Sequence, residues 1–170
     1  MVLPAKYLKT GDILHCKSKH ISSRLIKWFT KSKFASHTAV VVECWGQIYI
    51  VEAQKDGVTA KTIKAWKKKY NYNVIVAKPK IGPKDSKTFS IRAFSKTGAT
   101  AYDFKSLFLK HPWFLITGKW KTDTDPEEKM ICSEYVAWLW QIENSNRIDP
   151  NALMNHTKAD PNFVHYTLLY

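Results

Sequence analysis

His37-Thr38-Ala39-Val40-Val41-Val42-Glu43-Cys44-Trp45-Gly46-Gln47-Ile48-Tyr49-Ile50-Val51-Glu52-Ala53 is the stretch that decides the fold. Two β-branched runs, at 38–43 and 48–53, flank a short segment with a glycine, which is the pattern of a β-hairpin. A turn at Trp45-Gly46 pairs residues whose numbers sum to 91, so Val40 faces Val51 and Ala39 faces Glu52. A four-residue loop from Cys44 to Gln47 gives the same register, whereas an odd-length loop would put His37 and Glu52 on opposite faces. His37 precedes Ala39 by two positions and so shares a face with Glu52. The two are diagonal neighbours, roughly 7–8 Å apart along the backbone and within reach of a glutamate side chain. A histidine held by a carboxylate is the orienting half of a nucleophilic triad, because the carboxylate fixes the tautomer and steadies the imidazolium.

Working outward, Gly11-Asp12-Ile13-Leu14 reads as a turn feeding a short strand. Residues 21–34 place Ile21, Leu25, Ile26, Trp28 and Phe29 at helical spacing among Arg24, Lys27, Lys31 and Lys33. That is a basic amphipathic helix, expected to dock on its own core with its lysines in water, with a membrane anchor as the alternative. Asp56-Gly57 marks a turn. Thr62 suits the cap of a short basic helix reaching Tyr70, and residues 74–78 read as a strand ended by Pro79. Helices are expected over 86–101 and over 131–143, the latter burying Ile131, Tyr135, Trp138, Leu139 and Ile142. Residues 163–169 read as a final strand. Hairpin strands followed by helices predict an α+β fold, a mainly antiparallel sheet packed with helices, in one domain over residues 1–170.

Composition bounds the chemistry. The chain has 170 residues, 45% of them hydrophobic and 14% aromatic, enough to bury a core. Cys16, Cys44 and Cys132 are odd in number and widely spaced, so free thiols in a reducing compartment are expected rather than disulfides or a zinc site. The six histidines do not cluster at ligand spacing, and no metal or cofactor is expected. The net charge is +13. It resides in residues 1–90, which hold 18 Lys+Arg against 5 Asp+Glu; residues 91–170 hold 9 of each. Such one-sidedness suits attraction to an anionic membrane or cell-wall surface, with plain solubility as the equal alternative. No nucleic-acid-binding motif accompanies the lysines, so nucleic acid is not the expected partner. The first residues lack a continuous apolar segment with a small-residue cleavage site. The expectation is therefore a cytoplasmic protein, with phage or virus encoding left open.

A nucleophile for His37 stands far downstream. In Ile131-Cys132-Ser133-Glu134-Tyr135 the cysteine opens an apolar helix, where unpaired N–H groups and a nearby imidazolium would both lower its pKa. Asp125-Pro126-Glu127-Glu128 is a competing helix start that would leave Cys132 about two turns inside. A short turn at 126–129 that breaks before the Cys132 helix is the preferred reading.

These pieces follow one another in a recognisable order. Gly11-Asp12-Ile13-Leu14 comes first, then a helix, then Ser36-His37-Thr38-Ala39-Val40-Val41. Val51-Glu52-Ala53 and Gly57-Val58 follow, then Ala101-Tyr102-Asp103-Phe104 and Cys132-Ser133-Glu134. The order resembles the circularly permuted, YiiX-like branch of the NlpC-type papain-like superfamily, in which His precedes Cys. The resemblance implies a permuted papain-like fold and a thiol hydrolase with Cys132 as nucleophile, His37 as base and Glu52 as orienting member. The Cys132 N–H would meet the oxyanion.

It also implies a peptide or an acyl or lipid substrate, whose amide, ester or thioester bond would pass through an acyl-enzyme. Tyr102 matches the Tyr-Asp segment and would line the site, or else pack in the core. Ser36, ahead of His37, is a further candidate for substrate binding. So is Trp113, in the greasy segment 107–116 interrupted by Pro112, which would form an apolar wall or lid or else ordinary core. The rival readings are an idle relative that binds lipid or peptide in the same cleft, and a basic nucleic-acid-binding protein.

Overall fold

The computed structural model describes residues 1–17, 27–28, 30–69, 73–98, 101–102 and 129–170. A seven-stranded sheet is its centre. The strands are β1 (Val2–Pro4), β2 (Ile13–Lys17), β3 (His37–Cys44), β4 (Gln47–Gln54), β5 (Gly57–Thr62), β6 (Asn73–Pro79) and β9 (Phe163–Leu169). Their spatial order is β1-β9-β6-β2-β3-β4-β5. Every neighbouring pair is antiparallel except β1 with β9. Two short strands, β7 (Ala101–Tyr102) and β8 (Lys129–Met130), pair in parallel beside it. Packed with these strands are α1 (Ile63–Lys69), α2 (Ser86–Ser95), α3 (Cys132–Leu139) and α4 (Pro150–Ala159), with short 3-10 turns at Ala5–Tyr7 and Ser145–Arg147. The protein is thus α+β with a mostly antiparallel sheet packed against helices.

The central strands are apolar at successive positions because both faces of the sheet are covered. Ile13, Val40 and Val51 point to one face, where Phe89 and Ala93 of α2, Tyr135, Val136 and Leu139 of α3 and Leu153 of α4 close over them. Leu14, Val41 and Ile50 point to the other, against Leu3, Leu8 and Trp66 of α1. The buried Tyr135 hydroxyl donates to the Ala93 carbonyl at 2.8 Å, which ties α3 to α2 and satisfies a group that would otherwise be costly to bury.

The hairpin has the expected register, with Val40 opposite Val51 and Cys44 opposite Gln47. Trp45 and Gly46 form the two-residue turn with φ of 50° and 69°, the positive values a primed hairpin turn requires. Thr62 caps α1, its Oγ1 accepting from the Ala65 N–H at 3.3 Å.

Other expectations need correction. The helix expected over 86–101 ends at Ser95. Thr97 bridges to Val58, Gly98 adopts φ 74° and Ala101 is already in β7, so sheet pairing overrides the helical pattern there. The helix expected over 131–143 is Cys132–Leu139, stopped by Gln141 at φ 55°; Trp138 and Ile142 are only partly buried. Of the basic helix expected over 21–34, residues 18–26 and 29 lie outside the described residues. Lys27 and Trp28 are helical, but a turn at Thr30 and Lys31 ends the element before 34, and Trp28 is 73% exposed. β5 and α4 were not anticipated. Asp149 caps α4 by accepting from the Asn151 and Ala152 N–H groups, with Pro150 at the first helical position.

Candidate active site

His37 opens β3, and Glu52 lies near the end of β4 on the same face. The hairpin register brings His37 Nε2 to 2.8 Å from Glu52 Oε2. Glu52 is fully buried. Such a carboxylate needs several donors to remain ionised. Burial pushes its pKa up, but His37, the Trp66 indole and Lys61 together pull it below the usual 4.5. Trp66 Nε1 donates to the same Oε2 at 2.9 Å, and Lys61 Nζ stands 3.8 Å from Oε1. The two strands therefore supply the pair, and α1 supplies the indole that holds the carboxylate from behind.

Cys132 is the first residue of α3, which follows β8 directly. The helix thus begins at the cysteine and not two turns before it; residues 126–128, where a preceding turn was expected, lie outside the described residues. Ile131 precedes the helix in an extended conformation, and its N–H donates to Glu134 Oε2 at 2.9 Å. Glu134 therefore folds back onto its own helix start, half of a capping box, while Ser133 Oγ donates to the Ile148 carbonyl at 2.7 Å.

Cys132 and His37 stand in hydrogen-bonding contact. Because Nε2 of His37 is engaged by Glu52, Nδ1 is the ring nitrogen left for the sulfur. Burial pushes the Cys132 thiol up, but the His37 imidazolium, the hydrogen bond from it and the Thr38 backbone N–H bring it below its ordinary 9.0. The same contact works on the partner. Burial opposes a charge on His37, yet the Cys132 thiolate and the Glu52 carboxylate raise its pKa from 6.5 to about 10. Thiolate and imidazolium support each other, in surroundings nearly closed to water: Cys132 is 2% exposed and the His37 side chain 12%.

The remaining candidates are placed differently. Ser36 is buried, and both its N–H and its Oγ donate to the Cys16 carbonyl, at 2.9 and 3.3 Å. These bonds hold the chain that enters β3. Tyr102 lies in β7, paired with Met130 two residues before Cys132. Trp113 and the segment 107–116 lie outside the described residues.

Two neighbours of these side chains escaped the sequence reading. Trp66 is the only large apolar residue within Lys64-Ala65-Trp66-Lys67-Lys68, and that isolation was its signal. Thr38 gave no signal beyond adjacency to His37. Its Oγ1 is buried with no hydrogen-bond partner among the described residues, yet it lies near enough to the Cys132 sulfur to steady a negative charge there.

Thiol, imidazole and carboxylate thus stand in a row, Cys132 to His37 to Glu52, on an α+β scaffold. No protein-family model matches the chain, and no curated protein does. The chain is similar in structure to the metalloprotein YiiX from Escherichia coli O157:H7, at a TM-score of 0.64 and 18% identity over 96% of this chain and 98% of that one. The two share a fold. A metal is a separate question: among the described residues no three His, Cys, Asp or Glu side chains gather closely enough to hold one.

Proposed function

We propose that this protein is a thiol hydrolase or acyltransferase of the permuted NlpC-type, papain-like kind. It would act on an amide, ester or thioester bond of a cell-wall peptide or an acyl-bearing lipid. One observation carries the reading: His37 stands between the buried Glu52 carboxylate at 2.8 Å and a cysteine that opens a helix. Each group is common alone; a thiol and an imidazole that shift each other's pKa toward the ion pair are what nucleophilic chemistry needs.

In the reaction the Cys132 thiolate attacks the substrate carbonyl, forming the C–S bond and an oxyanion. The first N–H groups of a helix have no partner within it, so those of α3 are oriented to receive that oxyanion. The imidazolium of His37 gives its proton to the departing amine, alcohol or thiol as the C–N, C–O or C–S bond to it breaks, leaving a thioester on Cys132. His37, now neutral, takes a proton from water or an acceptor alcohol, whose oxygen attacks the thioester. The acid or ester product leaves, and thiolate and imidazolium are restored. Glu52 keeps the ring oriented and offsets its charge throughout, and the low polarity of the site strengthens that interaction.

The test is the rate of Cys132 alkylation by iodoacetamide from pH 4 to 9, read by mass spectrometry, with His37→Ala beside it. Fast labelling of Cys132 well below pH 8, lost in the variant, supports the reading and justifies a screen of cell-wall peptides and acyl esters. Labelling no faster than at Cys16 or Cys44, and indifferent to His37, would sink it and leave a binding protein on this fold.

A further inference from the structure

Trp45 occupies a position that packing inside the chain does not account for. Its ring is 93% exposed, and its backbone is held at φ 50°. The turn it shares with Gly46 is the primed type in which asparagine is favoured at this place and a bulky side chain is strained. Tryptophan here is disfavoured by the backbone and buries almost nothing in return.

Its surroundings share a character. Two grooves flank the ring. One is walled by Lys9, Lys80 and Gly82, the other by Lys87, Ile91 and Phe94. Ile81, between Lys80 and Gly82, is 81% exposed, and Ile91 is 58% exposed. Lys84 is exposed on the same connection. The acidic groups nearby do not cancel these lysines. Among the described residues, Asp12 is buried against Lys78 at 3.1 Å, Asp85 is turned to the N–H groups of Lys87 and Thr88, and Glu43 is exposed without a cap or lysine partner.

We infer that the Trp45 tip docks this protein on an anionic lipid surface. An indole suits the headgroup layer, where one edge is apolar and the other wet. Ile81 and Ile91 can enter the acyl boundary while lysine stems lie along it with their ammonium groups on phosphates. The aliphatic pair speaks against nucleic acid, whose single strands are held by stacking. The ring of lysines speaks against a second copy, which would bring like charges face to face. The tip lies at the opposite end of the eight-residue β3 from His37, about 23 Å away at ~3.3 Å per residue. Docking and the proposed chemistry are therefore separable, and the surface stands or falls without any activity.

The experiment is co-sedimentation of the full chain with phosphatidylcholine vesicles, with and without phosphatidylglycerol, at low and raised salt. Binding is expected to need the anionic lipid and to weaken with salt. Trp45→Asn should lower the partition on the order of tenfold, with a thermal midpoint unchanged or higher because asparagine suits the turn. The pair Lys80→Glu and Lys87→Glu should lower it at least about tenfold. No association with anionic vesicles at low salt, or equal association by Trp45→Asn, overturns the inference. So does a concentration-dependent dimer, or binding to single-stranded RNA, that vanishes in Trp45→Asn, since either assigns the tip to another partner.

Discussion

At the Cys132 sulfur, burial and charge act in opposite directions, and His37 decides which prevails. His37→Ala removes the imidazolium while burial remains, so the thiol pKa should rise toward and past 9.0. Alkylation of Cys132 at pH 6 should then fall about tenfold or more, because a thiol that is tenfold weaker as an acid holds about a tenth of the thiolate at that pH. Glu52→Gln keeps an oxygen for the Trp66 indole but deletes the charge behind His37. The expected result is a loss on the order of a hundredfold or more in kcat/KM on any substrate the protein turns over. Thr38→Val should act more gently. It removes a buried hydroxyl that has no hydrogen-bond partner among the described residues, so stability should hold in a urea melt while the thiol pKa rises by less than in His37→Ala.

Among the elements, α1 and α4 carry separable roles. α1 brings Trp66 Nε1 to Glu52, so Trp66→Phe keeps the packing and deletes the donor. A cost of about 1–3 kcal/mol in urea unfolding and a lower Cys132 alkylation rate are expected together, because the same carboxylate serves both. α4 stands away from the relay. Asp149→Ala removes the cap that holds its first N–H groups, which costs about 1 kcal/mol and leaves the alkylation profile unchanged. The sequence readings at this scale divide by physics. The β3–β4 register was legible because a two-residue side-chain period and an even-length turn leave one pairing that buries both faces. Helix ends were not: α2 stops at Ser95, just before Thr97 bridges to Val58, and α3 stops at Leu139, just before Gln141 takes φ 55°. α4 was missed although Asp149-Pro150 is a strong start, because the polar residues Asn151, Asn155, His156 and Lys158 obscure its apolar stripe.

For the whole molecule, two pH dependences follow. Thiolate and imidazolium coexist between the lowered pKa of Cys132 and about 10 for His37. The proposed catalysis by the pair should decline below that window as the sulfur takes a proton, and above about pH 10 as the ring loses one; a pH–rate profile reads both limbs. Stability depends on His15, which is fully buried with Nε2 at 3.0 Å from Thr157 Oγ1. Burial lowers its pKa from 6.5 to about 3. Between those values the unfolded chain binds the proton and the folded chain does not, so stability is lost as pH falls from about 6.5 toward 3. The slope from this one group is about 1.4 kcal/mol per pH unit at most, and His15→Gln should flatten it in urea melts between about pH 7 and 4.5.

What the sequence determined by itself was the α+β class, the hairpin register and the placing of His37 and Glu52 on one face. All three follow from periods of two and from turn geometry, which act over a few residues. It also marked Cys132 as a thiol at a helix start, though two helix starts competed for it. Only the tertiary structure decided that α3 begins at Cys132 behind β8, that the sulfur meets His37 and Thr38, and that Trp66 holds Glu52 from behind. Those contacts join segments some 14 to nearly a hundred residues apart in the chain. No local pattern encodes them, because they depend on which helix covers which face once the sheet has closed.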